Sequence, residues 1–253
     1  MPLNREEGLL QKTLSGWQDW STASSIKPVV VEELKGGRTN RSFLVEAGDF
    51  QAVVRVNAIN GRNLGIDRRR EAEILSRLED IGCVPKIFFI SDQVLVSEYI
   101  SGRCWEAADL KKPDQLKKLA NLLDDIQEIS LSENIIQRNY VAYCLHYIQQ
   151  LSVVMRRSES EFIEQLNEAA KAIDDAHWQP VINHHDLVPE NIIESEQGVF
   201  LLDWEYAAYG HPAIDFVRLY GDDISSPVHG SPLITKLITL QQGIDKLWNW
   251  VNC

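Results

Sequence analysis

One polar stretch, His184-His185-Asp186-Leu187-Val188-Pro189-Glu190-Asn191, constrains this chain more than any other feature, together with the Asp203-Trp204-Glu205 that follows a short apolar run. The pattern is H-x-D-x-x-x-x-N and then D. Pro180-Val181-Ile182 precedes the first segment, and Val199-Phe200-Leu201-Leu202 precedes Asp203. Both apolar runs read as short strands, so the polar residues fall in turns at strand ends. A lone Asp in a loop is usually a turn residue. The order strand, H-x-D-x-x-x-x-N, strand, D is far rarer and points to a site.

The spacing matches the one used to set a base and two metal ligands around a nucleotide γ-phosphate. Phosphoryl transfer needs in-line positioning and neutralisation of charge on the phosphate oxygens, with little covalent help. Asp186 is the candidate base for an acceptor hydroxyl. Asn191 follows across a turn containing Pro189, which can return its amide oxygen toward a metal near Asp186. Mg²⁺ prefers hard oxygen ligands and keeps several waters; Asn191 and Asp203 supply two such oxygens. His184 reads as a hydrogen-bonding residue that holds the loop. A competing reading takes His185-Asp186 as the doublet of a metal phosphohydrolase, with His146, His177, His211 and His229 as available ligands. That site needs helical surroundings, and an apolar strand and Pro189 flank the doublet.

The N-terminal part reads as β-rich. Pro28–Val31 is a strand, Ser42–Val45 and Ala52–Val56 form a hairpin about Gly48-Asp49, and Ile87–Ile90 and Val94–Val96 are two more strands. Asp67 to Leu78 is helical, as is a short stretch near residues 5–20. Arg55 lies mid-strand, where a cation can meet the α/β-phosphates, and Glu71 is placed on the helix to pair with it; Glu73 is the competitor. Gly36-Gly37 could let backbone approach phosphate, and Glu98-Tyr99-Ile100 could offer backbone groups to adenine. No G-x-x-x-x-G-K-[ST] and no G-x-G-x-x-G is present. Beyond Ser101-Gly102 the pattern turns helical, with one apolar face at Leu116, Leu119, Ala120, Leu123 and Ile126 and another at Tyr140, Cys144, Tyr147, Ile148 and Leu151. Ser231-Pro232 begins a last helix ending near Trp248 and Trp250. The expected layout is α+β, a small β-rich lobe over residues 1–100 and a larger, mainly helical lobe over 101–253.

A net charge of −12 over 253 residues argues against a nucleic-acid footprint and suits a cationic small molecule. Cys83, Cys104, Cys144 and Cys253 contain no C-x-x-C pair. The start carries no signal-peptide pattern and no apolar run reaches membrane-spanning length, so a cytoplasmic protein is expected.

These residues carry a family resemblance. Gly36-Gly37-Arg38-Thr39-Asn40-Arg41-Ser42, Arg55, Arg70-Glu71, His184–Asn191, Asp203-Trp204-Glu205-Tyr206-Ala207 and Gly210-His211-Pro212-Ala213-Ile214-Asp215 resemble the choline/ethanolamine kinase, thiamine kinase and aminoglycoside phosphotransferase superfamily. The similarity runs from about residue 30 to 220 and leans to the choline and thiamine kinase branch, as does Arg rather than Lys at position 55. The resemblance implies a bilobal protein-kinase-like fold with ATP and Mg²⁺. It implies Asp186 as base, Asn191 and Asp203 as metal ligands, Arg55 with Glu71 as the phosphate-positioning pair, and Asp215 as a brace of the catalytic loop. Gly36, Gly37, Asn40, Ser42, Arg55, Glu98 and Ile100 would face the nucleotide. The acceptor would be a small alcohol, often cationic, with Tyr206, Tyr209, Trp248 and Trp250 as candidate aromatic contacts.

Two departures stand out. Where the family often shows L-x-x-L-H, this chain has Asp125-Ile126-Gln127, and only a few dozen residues follow Asp215, where relatives continue with helices that wall the acceptor pocket. An open pocket, one completed in a homodimer, or one filled by an unusual substrate is the corresponding expectation. An aminoglycoside or sugar acceptor and a non-catalytic nucleotide-binding module are the alternatives.

Overall fold

Asp67 has an extended backbone, and its carboxylate accepts the amide hydrogens of Arg69 and Arg70, so it caps the helix that follows. The structure, a computed structural model, describes residues 4–22, 25–35, 39–131, 135–221, 223, 226–230 and 233–252. In chain order the elements are α1 (Arg5–Ser15), β1 (Val29–Leu34), β2 (Arg41–Ala47), β3 (Phe50–Val56), α2 (Arg68–Leu78), β4 (Ile87–Ile90), β5 (Val94–Glu98) and β6 (Arg103–Cys104). There follow α3 (Pro113–Gln127), α4 (Tyr140–Ile148), α5 (Val153–Ser158), α6 (Ser160–Asp174), β7 (Val181–Asn183), β8 (Ile192–Ser195), β9 (Gly198–Leu201), β10 (Ala208–Gly210), α7 (Ile214–Tyr220) and α8 (Ile234–Asn252). The architecture is α+β, β-rich in its N-terminal part and mainly helical in its C-terminal part.

The chain divides into two compact units. The first holds Met1–Arg62, Asp67–Trp105 and Glu190–Leu202. Its antiparallel five-stranded sheet has the order β1-β2-β3-β5-β4, which puts β3 at the centre. The β2–β3 turn passes through Gly48 at φ 65°, a conformation that favours glycine. Alternating residues Phe43, Val45, Ala52, Val54, Val56, Val94 and Val96 form a core with Leu10 and Leu14 of α1 and with Trp20. The β8–β9 hairpin, with β6 along its edge, belongs to the same unit. Ile100, Ile193, Phe200 and the half-buried Leu202 pack together there. β8 is absent from the sequence expectation, because Ile192-Ile193-Glu194-Ser195 is too short for a two-residue period to stand out.

The second unit holds Asn63–Ile66, Glu106–Pro189 and Asp203–Cys253. Tyr140, Cys144 and Tyr147 of α4, Leu166, Ala170 and Ile173 of α6, Ile214 and Val217 of α7, and Leu237, Leu240 and Leu247 of α8 share one core. The α6 helix is legible after the fact, in a buried stripe of Leu166, Ala169, Ala170 and Ile173 at helical spacing. The last helix starts at Ile234; the expected start at Ser231-Pro232 lies outside the described residues. None of the described helices is long and apolar enough to cross a membrane.

Candidate active site

In the first unit, Arg55 occupies the central strand and is 8% exposed, so it is a buried cation rather than an edge-strand arginine. Its Nη2 donates to Glu71 Oε1 at 2.6 Å and its Nε to Asn57 Oδ1 at 3.1 Å. Arg68 donates to the other Glu71 oxygen at 2.8 Å, so Glu71, 1% exposed, sits between two guanidinium groups. Burial alone would raise the Glu71 carboxyl; Arg55 and Arg68 outweigh it and hold its pKa below the ordinary value. Glu73 lies on the outer side of α2, paired with Arg77 at 3.1 Å. Arg68 is the residue sequence reasoning missed. It lies one helical turn before Glu71, and that spacing was its only signal.

Of the other expected nucleotide-side residues, Ser42 and Asn40 lie beside this cluster. Ser42 stands directly opposite Arg55 across β2 and β3. Asn40 is buried, and its Oδ1 accepts from Arg68 Nη2 at 3.2 Å and from the Ala58 amide at 3.1 Å. Glu98 closes β5 and accepts from the Lys86 amide at 3.3 Å, while Ile100 packs against Ile193 and Phe200. Gly36 and Gly37 lie outside the described residues.

In the second unit, β7 delivers the loop that carries Asp186. His185 takes a left-handed conformation at φ 63°, costly for a residue with a Cβ and characteristic of sites whose surroundings over-determine them. Asp215, at the start of α7, supplies those surroundings: its two oxygens accept the amide hydrogens of His184 at 2.7 Å and His185 at 2.9 Å. Burial pushes the Asp215 carboxyl up, against the lowering effect of His184 and these amides. His184 is fully buried, stacks near Trp204 with ring centroids 4.7 Å apart, and accepts the Asp186 amide hydrogen on Nδ1 at 3.3 Å. Tyr140 completes the support. Its hydroxyl accepts from the His211 amide at 2.9 Å and meets His185 Nε2 at 3.3 Å. The polar groups under this loop press close to β10: a Cβ on Gly210 would lie 2.6 Å from that hydroxyl and 2.8 Å from Asn183 Oδ1. Gln127, standing where the family often has His, donates to the Pro212 carbonyl at 2.8 Å and so ties α3 to the same segment.

Asp186 itself keeps a side chain 35% exposed to solvent. Its Oδ1 accepts from Arg218 Nη2 at 3.4 Å, and Arg218 Nη1 is paired with Asp245 of α8. Neither Arg218 nor Asp245 is prominent in the sequence, since each is one charge on a helix among many.

Asn191 ends a 3₁₀ turn that begins at Pro189, and its carbonyl accepts the Leu202 amide hydrogen at 2.8 Å. Asp203 is the next residue in the chain and the second non-glycine position with positive φ, at 58°. Among the described residues no group of three or more His, Cys, Asp or Glu side chains could hold a metal ion. The histidine cluster required by the metal-phosphohydrolase reading is therefore missing among them. Asn191 and Asp203 each carry a hard-oxygen donor of the kind Mg²⁺ prefers.

Of the four aromatic candidates, Tyr206 and Trp248 come together, with Trp248 Nε1 donating to the Tyr206 hydroxyl at 2.8 Å. Burial first, and then the charges of Glu205 and Asp186 among others, push the Tyr206 phenol up, so the field of Asp186 reaches it. Tyr209 is buried, and Trp250 stands edge-on to Phe162 under Lys246.

The model of a phosphotransferase enzyme family matches residues 30–248. The chain belongs to this family. The LicA homolog of Mycoplasma capricolum subsp. capricolum is 28% identical over 147 residues, 56% of this chain and 56% of that protein. Ethanolamine kinase 2 of Mus musculus is 28% identical over 203 residues, 74% of this chain and 51% of that protein. The chain thus spans little more than half the length of the curated relatives it matches. In fold it is similar to the choline kinase LicA from Streptococcus pneumoniae, with TM-score 0.73 at 22% identity over 99% of this chain and 91% of the other. A likeness at that identity establishes the family fold and leaves the substrate to the site.

Proposed function

We propose that the chain transfers the γ-phosphoryl group of ATP to the hydroxyl of a small, cationic alcohol of the choline, ethanolamine or thiamine type. The observation that carries this reading is the held, half-exposed Asp186: a carboxylate on a left-handed loop whose amides are locked by a buried aspartate. A general base needs that combination of access and fixed geometry. Asp186 takes the acceptor's proton as the oxygen attacks. Arg55, oriented by Glu71, binds the α/β-phosphates, with Ser42 opposite it and Gly36, Gly37, Asn40, Glu98 and Ile100 on the nucleotide side. Asn191 and Asp203 would hold Mg²⁺, which supplies neutralisation of charge on the phosphate oxygens. Residues 1–100 would supply the nucleotide side and 101–253 the catalytic and acceptor side, in the cytoplasm where ATP is plentiful.

The net charge of −12 and the neighbouring Tyr206 and Trp248 favour a cationic acceptor. Relatives named as choline and ethanolamine kinases point the same way. The test is a coupled ADP-release screen with Mg²⁺, ATP and a panel of choline, ethanolamine, thiamine and an aminoglycoside. Acceptor-dependent ADP release is expected, with Asp186→Asn lowering kcat by about three orders of magnitude or more. Retained turnover in that variant would remove Asp186 as the base. ATP binding by calorimetry without transfer across the panel would favour the non-catalytic module.

A further inference from the structure

Arg218 divides its guanidinium between two carboxylates. Nη2 donates to Oδ1 of Asp186 at 3.4 Å, and Nη1 is paired with Oδ2 of Asp245 on α8. Gln241, one helical turn earlier on α8 and only 6% exposed, donates to the remaining Asp245 oxygen at 3.2 Å. The Arg218 side chain is 17% exposed, against 35% for Asp186 and 43% for Asp245. A connected line of side chains therefore runs from the C-terminal helix through Asp245 and Arg218 to the candidate base.

The backbone supports described above fix the amides of the Asp186 loop. The carboxylate itself is contacted by Arg218, which reaches its Oδ1. A base works from one orientation, and a displacement of about 1 Å can cost about 100-fold in rate. An unanchored arginine would spread its guanidinium over many rotamers and hold no single orientation. Asp245, itself steadied by Gln241, holds the guanidinium in the folded protein before any substrate arrives. A tie between α7 and α8 alone would need only the Arg218–Asp245 pair; the second nitrogen, aimed at Asp186, is what such a tie leaves unexplained.

Resting on the phosphotransfer reading, we infer that Arg218, anchored by Asp245, is the positioning residue that orients the Asp186 carboxylate toward the acceptor hydroxyl. The C-terminal helix thereby sets the geometry of a base far from it in sequence.

The experiment compares wild type, Asp186→Asn, Arg218→Ala, Arg218→Lys and Asp245→Asn in the ADP-release assay, using the best acceptor of the panel. Arg218→Ala should lose about 10- to 100-fold in kcat with KM for ATP within about two-fold, and Arg218→Lys should recover part of the loss. Guanidinium chloride at tens of millimolar should restore part of the Arg218→Ala rate, while equal sodium chloride should not. Asp245→Asn should lose about 3- to 10-fold in kcat, and the double variant should be no worse than Arg218→Ala, since the two act in series. Should Arg218→Ala fail to fold, Asp245→Asn decides alone, its melting temperature checked against wild type. Unchanged kcat in the folded variants, or a loss confined to KM for ATP, overturns the inference while Asp186→Asn keeps the reading intact. Absence of any ADP release that Asp186→Asn abolishes overturns both.

Discussion

At the scale of single residues, Glu71 is the charge whose removal should be felt most. It is 1% exposed between Arg55 and Arg68, at 2.6 Å and 2.8 Å. Glu71→Gln would leave the buried Arg55 and the part-buried Arg68 without their counter-charge, a change that costs about 3–5 kcal/mol in buried pairs. Urea unfolding should report that loss, and ATP binding should weaken because Arg55 is no longer oriented. An unchanged midpoint would mean that water or another group already compensates the arginines. The Arg55–Glu71 partnership was legible from strand-then-helix order. Arg68 was not, because a third charge in Arg68-Arg69-Arg70 gains meaning only when the helix rotates one of the three inward.

At the scale of elements, α6 and α8 approach closely enough that Gly243 is built into their contact. A Cβ there would lie 2.5 Å from Leu166 Cδ1, and Leu166 is itself fully buried. In an exposed helix interior, alanine in place of glycine would add about 1 kcal/mol of stability. Here overpacking should reverse the sign, and Gly243→Ala should destabilise by about 1–3 kcal/mol in thermal or urea unfolding. A gain in stability would show that Leu166 can move aside. The strands β2 to β5 and helices α2, α3 and α4 were readable from their apolar period. The short strands β8 and β10 and the helix α7 were not, since β8 and β10 lack the continuous apolar run that marks the equally short β4 and β9, and a helix of two turns carries too little periodicity to be told from loop. Those short elements hold much of the candidate site: α7 carries Asp215 and Arg218, and β8 follows Asn191.

At the scale of the whole molecule, the buried ionisable groups predict how stability follows pH. Burial pushes His211 down to about 4 from an ordinary 6.5. Between those values the unfolded chain binds a proton that the folded site refuses, so stability falls as pH drops from 6.5 toward 4. Glu71 acts lower: its folded pKa lies below the ordinary 4.5, so its stabilisation is present above 4.5 and is lost as pH falls through the folded value. His211→Asn, which keeps an acceptor for the Ala213 amide hydrogen now bound at 3.1 Å, should flatten the first slope in chemical denaturation across pH 4–7. Persistence of the full slope would assign it to other groups. By itself the sequence determined the fold class and the periods of the longer strands and helices, because these depend on neighbours along the chain. Which charges are buried, that Arg68 joins Arg55 at Glu71, and that Asp245 meets the Arg218 that reaches Asp186 were decided only by tertiary packing. Burial and partnership belong to residues far apart in sequence, and no local pattern encodes them.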